Sequence, residues 1–155
     1  MGQLLGIEVG NSNIKLVQGI KKGRIVHVQN HGITATPKNA VRDGFIVDME
    51  AVYNAASELI KKKRFNEQNA ALSIQGTSII TRDVIVPYME ENELRNVLEY
   101  QKEEYFPIDV SDYQTDFKIL EKLDTDEGKK LSVLLVAAPN NMITGAMDLL
   151  RRLNL

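Results

Sequence analysis

The chain has 155 residues, of which 43% are apolar and 26% are charged, a balance typical of a water-soluble globular protein. Its net charge of −2 argues against a general nucleic-acid-binding surface, which needs an excess of clustered Lys and Arg. The chain contains no cysteine, which excludes disulfides and thiolate chemistry, and no apolar run has the length of a membrane span. We therefore expect a cytoplasmic protein with no nucleic-acid partner and no direct insertion into a membrane.

The first twenty residues predict a β-hairpin whose tip is Gly10-Asn11-Ser12-Asn13. Apolar runs flank this sequence on both sides, and its small, turn-prone residues favour a tight reversal. Glu8 precedes the turn and Lys15 follows it, and the free backbone N–H groups of such a turn can bind an anion. Phosphate can approach Gly10 closely because glycine has no Cβ. Two interpretations remain open at this point, a phosphate-binding loop and an ordinary hairpin.

The following residues, up to position 75, predict a third strand, a helix and a fourth strand. Residues 24–33 alternate as a strand does, and His27 and His31, about 13 Å apart on one face, are too distant to share a metal ion. Asp48 is predicted to cap a helix that ends in the cationic run 61–64. Its predicted buried stripe comprises Val52, Ala55, Ala56, Leu59 and Ile60. The resulting order is β-β-β-α-β.

From residue 79 onward, the pattern predicts a β-α-β-β-α module. A strand at 79–86 precedes a helix that Pro107 ends, and two further strands lead to a final helix. The inward side of that last helix is predicted to carry Ile143, Ala146, Met147, Leu150 and Leu153. The acidic residues between 90 and 104 are most simply a solvated helix face. No catalytic constellation and no zinc spacing is present, so we predict no catalytic residue.

The run Gly6-Ile-Glu-Val-Gly-Asn-Ser-Asn-Ile-Lys15 resembles the first phosphate loop of the actin-like ATPase superfamily, Asp-x-Gly-x-x-x-x-Lys. Glu8 stands where that family has Asp, so its carboxylate is one methylene longer. The resemblance implies that ATP phosphates bind at Gly10, Asn11, Ser12, Asn13 and Lys15. It also implies that Glu8 holds Mg²⁺ through a water molecule.

Segments in the second half indicate a second resemblance. It is more specific than the phosphate loop, because the match extends over the whole chain. The segments Ile85-Val-Pro-Tyr-Met89, Glu103-Glu-Tyr-Phe-Pro107 and Leu134-Leu-Val-Ala-Ala-Pro139 are similar in order and spacing to the PilM family of type IV pilus assembly. In that family and in the related FtsA, a subdomain called 1C is inserted into subdomain 1A. The resemblance therefore implies an α/β (α+β) fold. Residues 1–78 would be the N-terminal, incomplete part of a ribonuclease H-like, actin-type subdomain 1A, and residues 79–155 a 1C-type subdomain.

The resemblance also implies a function, a cytoplasmic scaffold held at the inner face of the cell membrane through its partners. It implies that the N-terminal tail of the membrane protein PilN binds in a groove between subdomains 1A and 1C. Arg82 is the candidate contact for that tail. Its alternative interpretation is an exposed strand arginine paired with Asp83 or Asp116.

ATP and Mg²⁺ are the cofactors that the resemblance implies for a full-length form. An actin-like nucleotide is clamped between two lobes, and the chain as given shows only one phosphate hairpin, so we expect it to bind neither cofactor and to hydrolyse no ATP. Two other interpretations remain open: an FtsA-like ATPase or filament-forming protein, in which the chain associates with itself, and a sugar-kinase-like enzyme of the same superfamily.

Overall fold

The computed structural model describes residues 2–106 and 108–155. Within them, the strands and helices in chain order are β1 (Gln3–Val9), β2 (Asn13–Lys22), β3 (Ile25–Ala35), β4 (Val41–Arg42), β5 (Phe45–Ile46), α1 (Met49–Lys63), β6 (Ala70–Ser73), β7 (Ile80–Pro87), α2 (Glu91–Tyr100), α3 (Lys102–Tyr105), β8 (Tyr113–Thr125), β9 (Gly128–Pro139) and α4 (Asn140–Arg152). The chain forms two compact units. Unit 1 comprises Met1–Gly76 and Asn141–Leu155, and unit 2 comprises Thr77–Asn140.

Unit 1 contains a four-stranded sheet in the order β3-β2-β1-β6. The first three strands form an antiparallel meander, and β6 runs parallel to β1 after the chain returns through α1. A parallel pair requires a crossover of this kind, because a tight turn can join only antiparallel strands. The predicted β-β-β-α-β order is therefore confirmed, and the short β4–β5 hairpin is an addition to it.

One face of this sheet carries the core of unit 1. Leu5, Ile7 and Leu16 of the sheet are buried together with Val52 and Leu59 of α1 in one hydrophobic core. The predicted cap of α1 is present, since the Asp48 carboxylate accepts a hydrogen bond from the Ala51 N–H group at 3.0 Å. Such a cap stabilises a helix by about 1 kcal/mol. The predicted cationic run ends the helix as expected.

A bulge in β3 corrects the prediction for the two histidines. Gln18 is opposite Asn30, but Gly19 is opposite Val28, so Gln29 is an extra residue in the ladder. An extra residue reverses the alternation of the side chains beyond it. His31, opposite Val17, and His27, opposite Ile20, therefore lie on opposite faces of the sheet rather than on one.

The final helix α4 departs from the predicted division of the chain, since it belongs with unit 1 from Asn141 onward. Leu149 is fully buried in the unit 1 core, and Leu150 and Leu153 pack against that core. Its buried stripe also differs from the prediction. Met142 and Ala146 are buried with Leu149, whereas Met147 is 45% exposed. Apolar residues occur in adjacent pairs along this helix, so two apolar stripes, offset by one residue, are possible. Packing against the core of unit 1 determines which stripe is buried.

Unit 2 is built on a three-stranded antiparallel sheet in the order β7-β9-β8, which contains the strand at 79–86 and the two further strands that the sequence predicts. Alternate residues of β9, including Leu131, Val133 and Leu135, are buried in one core with Leu94 and Leu98 of α2. The predicted single helix is interrupted, because Gln101 leaves helical geometry between α2 and α3. The prediction that Pro107 ends this segment lies outside the described residues.

Candidate phosphate loop and unit 2 groove

The loop between β1 and β2 is held by its carbonyl groups, which leaves N–H groups available. The Gly10 N–H group donates to the Asn13 carbonyl at 2.9 Å and closes the turn. Thr36 supports the loop from β3's end, since its N–H group donates to the Ser12 carbonyl at 2.9 Å and its hydroxyl to the Gly10 carbonyl at 2.6 Å. Within the described residues, the N–H groups of Asn11 and Ser12 have no acceptor. Two exposed donors at this tip are thus available to an anion.

Glu8 and Lys15 lie directly opposite each other in the β1–β2 ladder. Lys15 Nζ is 2.9 Å from Glu8 Oε1, and the two side chains are 48% and 34% exposed. An exposed pair of this kind contributes only about 0–1 kcal/mol, so a phosphate group can compete for the ammonium group. The Gln75 amide also donates to Glu8 Oε1, at 3.4 Å.

The residues at this tip fit a phosphate group better than they fit a metal ion alone. A Cβ on Gly10 would lie 3.3 Å from the Asn13 carbonyl oxygen, so a side chain at this position would crowd the turn. No group of three or more His, Asp or Glu side chains suited to a metal occurs among the described residues. Mg²⁺ here would therefore depend on phosphate oxygens and water, with the Glu8 carboxylate nearby, and it would neutralise phosphate charge.

Thr36 and Gln75 are parts of this site that the sequence analysis missed. Gln75 follows β6, which runs parallel to β1, so the residues after both strands emerge at the same end of the sheet. That signal is available only once the pairing of β6 with β1 is known. Gly6, Lys15, Val17, Ala71 and Ser73 line an open depression beside Glu8 on the outer face of this sheet.

Unit 2 contains a groove between the α2–α3 segment and β8. Its lining residues are Arg95, Leu98, Glu99, Lys102, Tyr105, Phe106, Thr115, Asp116, Phe117 and Leu135. The floor is apolar, and the rim carries charges that are already paired. The Arg95 guanidinium is 3.5 Å from an Asp116 carboxylate oxygen and 4.8 Å from the centre of the Phe117 ring, and Lys102 Nζ is 2.8 Å from Glu99.

Arg82 lies on β7, an edge strand of the unit 2 sheet, and its side chain is exposed. The expected pair with Asp116 is not formed, because Asp116 lies on the other edge strand and pairs with Arg95. Within the part of the chain that the structure describes, no carboxylate lies within ion-pair distance of Arg82. In the sheet, Arg82 of β7 is opposite Leu135 of β9, and Leu135 is opposite Phe117 of β8. Arg82 therefore lies on the same face of the sheet as these two groove residues.

Comparison with known proteins identifies the family of this chain. A family model described as type IV pilus assembly protein PilM matches residues 6–155. The chain belongs to the PilM family. This membership confirms the resemblance found in the sequence and favours it over the sugar-kinase-like interpretation.

Two solved structures are similar to the chain. One is a chain of a PilM-PilN type IV pilus biogenesis complex, with 25% sequence identity and a TM-score of 0.83; the match covers 98% of this chain and 45% of that one. The other is the cytoplasmic domain of EpsL, an inner membrane component of the type II secretion system of Vibrio cholerae. It is 17% identical with a TM-score of 0.56, over 98% of this chain and 53% of that one, and supports the fold. The chain thus spans about half the length of both.

Proposed function

We propose that this PilM-family chain is a cytoplasmic scaffold of type IV pilus assembly that binds the N-terminal tail of the membrane protein PilN. Binding to PilN would hold it at the inner face of the membrane. The observation that carries this proposal is the likeness to a chain of a PilM-PilN complex, which extends over 98% of the residues with a TM-score of 0.83. Among the described residues, no helix is long and apolar enough to cross a membrane.

The geometry of unit 2 suits an extended peptide. Among the described residues, no strand pairs with the outer edge of β7 or of β8, so both edges offer backbone hydrogen-bonding groups. The groove provides an apolar floor for peptide side chains, as peptide-binding sites at sheet edges commonly do. Arg82 adds an exposed guanidinium on the β7 edge, which can bind a carboxylate or a carbonyl of the peptide.

We predict that Arg82→Ala weakens binding of a PilN N-terminal peptide by about tenfold or more, because a hydrogen bond to a charged group contributes about 1.5–3 kcal/mol. The measurement is a fluorescence titration of the labelled peptide with the unmodified chain and the variant. Lys129→Ala is the matched control, since Lys129 is an exposed cation near the start of the central strand β9 and lies on neither edge strand.

The possible outcomes test the scaffold proposal and the role of Arg82 separately. If the unmodified chain binds no PilN peptide, the scaffold proposal is wrong for this chain. If Arg82→Ala and Lys129→Ala weaken binding equally, the effect is one of net charge, and Arg82 is not a specific contact. If neither variant changes the affinity, Arg82 makes no contact with the peptide.

We also propose that the β1–β2 loop is a weak phosphate site in this chain. The support is the pair of free N–H groups at Asn11 and Ser12 beside Lys15. These few contacts predict a dissociation constant for Mg-ATP no tighter than about 1 mM by isothermal titration.

In a version extended to the length of its relatives, Lys15→Ala should weaken ATP binding by about 1.5–3 kcal/mol. Micromolar binding by the present chain, or an extended Lys15→Ala variant of unchanged affinity, would contradict this assignment.

A further inference from the structure

Charge is divided unequally between the two units. Unit 1 contains twelve Lys and Arg residues against seven Asp and Glu, whereas unit 2 contains seven against fourteen. The difference is strongest near the N-terminus, where residues 9–42 include six Lys and Arg and no Asp or Glu. A segment of this length without a carboxylate presents a positive surface.

The turn between β2 and β3 concentrates this charge together with exposed aliphatic side chains. Lys21, Lys22 and Arg24 lie at this turn, and Ile25, Val26 and Val28 beside it are 64%, 62% and 58% exposed. In the ladder, Lys22 is opposite Ile25 and Lys21 is opposite Val26. Adjacent ladder pairs point to opposite faces of a sheet, so each face of this tip carries a cation next to an aliphatic side chain.

No contact among the described residues accounts for these side chains. Among the described residues, no carboxylate pairs with Lys21, Lys22 or Arg24, and Ile25, Val26 and Val28 belong to neither hydrophobic core. The turn also lies far from the phosphate loop, which is at the other end of the ten-residue strand β2. At about 3.3 Å per residue, the two ends are about 30 Å apart.

We propose that this tip, residues 21–28, is a peripheral contact for a membrane surface that carries anionic lipids. A protein partner with a flat surface would cover one face of the tip and leave the aliphatic side chains of the other in water. A layer of lipid headgroups surrounds the tip, so the aliphatic side chains on both faces leave water together while the cations meet anionic headgroups at the same depth.

The strength expected for such a contact is modest. Each Lys or Arg near an anionic membrane surface raises binding about fivefold, so three give about 100-fold. By itself, this contact binds the membrane weakly and reversibly. It becomes effective when a second attachment keeps the tip near the bilayer, and that step alone depends on the proposed binding to PilN.

Vesicle sedimentation tests the contact with the chain by itself. We expect the unmodified chain to bind phosphatidylcholine vesicles containing about 30% phosphatidylserine, and not vesicles of phosphatidylcholine alone. Replacing the three cations of the tip, Lys21→Gln with Lys22→Gln and Arg24→Gln, should lower the partition coefficient about 100-fold. The matched control is Lys61→Gln with Lys62→Gln and Lys63→Gln, which removes the same charge from the end of α1 and should change binding less than fivefold.

A second variant tests the contribution of the aliphatic side chains. Attraction that depends on charge alone would not require these side chains. Ile25→Ser with Val26→Ser keeps every cation and should lower binding about tenfold or more. Equal losses in the two charge variants, or no loss in the serine variant, would overturn the proposal in favour of diffuse attraction. Binding to soluble poly-glutamate but to neither kind of vesicle would overturn it in favour of an acidic protein partner. Because the PilN titration uses a free peptide without lipid, failure of either proposal is seen independently.

Discussion

Leu149→Ala is expected to lower the free energy of unfolding of unit 1 by about 2–5 kcal/mol, the cost of truncating a buried leucine. Leu149 is fully buried among the strands and helix of unit 1, although more than eighty residues separate it from the end of α1. Loss of its side chain leaves a cavity in the core formed by Leu5, Ile7 and Val52. The effect should therefore appear in the N-terminal sheet.

Hydrogen exchange followed by mass spectrometry locates this effect. Amides of β1 and β2 should exchange faster in Leu149→Ala, and those of β9 should change less. Met147→Ala on the same helix is the control, since Met147 is 45% exposed and its truncation should change stability by no more than about 0.5 kcal/mol. Faster exchange confined to β7–β9 would instead assign α4 to unit 2, as the sequence pattern had predicted.

Gly44→Ala is expected to destabilise unit 1 by about 3 kcal/mol or more, because two costs combine. Gly44 has φ +82°, which strains a residue with a side chain, and a Cβ there would lie 2.0 Å from the Gln75 carbonyl oxygen. Gly76 makes the reciprocal approach, with its added Cβ 2.4 Å from the Asp43 carbonyl oxygen. The two loops cannot remain in contact once either position carries a Cβ.

Gly23→Ala separates the two costs. Gly23 also has a positive φ, +61°, but an added Cβ meets no atom within 4 Å. It should therefore cost only the backbone term, about 1 kcal/mol, in a urea titration of each variant. Equal destabilisation by the two substitutions would show that the contact with the Gln75 carbonyl contributes nothing. Displacement of Gln75 should also release its hydrogen bond to Glu8, so the larger effect extends to the β1–β2 loop.

Local patterns in the sequence were enough to predict most elements of this fold. The Gly10-Asn11-Ser12-Asn13 turn and the Asp48 cap each depend on residues within a few positions of one another. The PilM-family resemblance was likewise carried by short segments in a fixed order, and the family match confirms it. Contacts between neighbours in the chain leave a direct record in residue type and spacing.

Contacts between residues distant in the chain were decided only by the tertiary structure. The sequence could not show that Gln29 bulges out of β3, since register depends on both strands. It could not choose between the two apolar stripes of α4 or assign that helix to unit 1, because the choice is made by the core it meets. The pairing of Asp116 with Arg95 and the approach of Gln75 to Glu8 are of the same kind. In each case, several arrangements satisfy the local preferences equally well, and only the simultaneous packing of distant elements selects one.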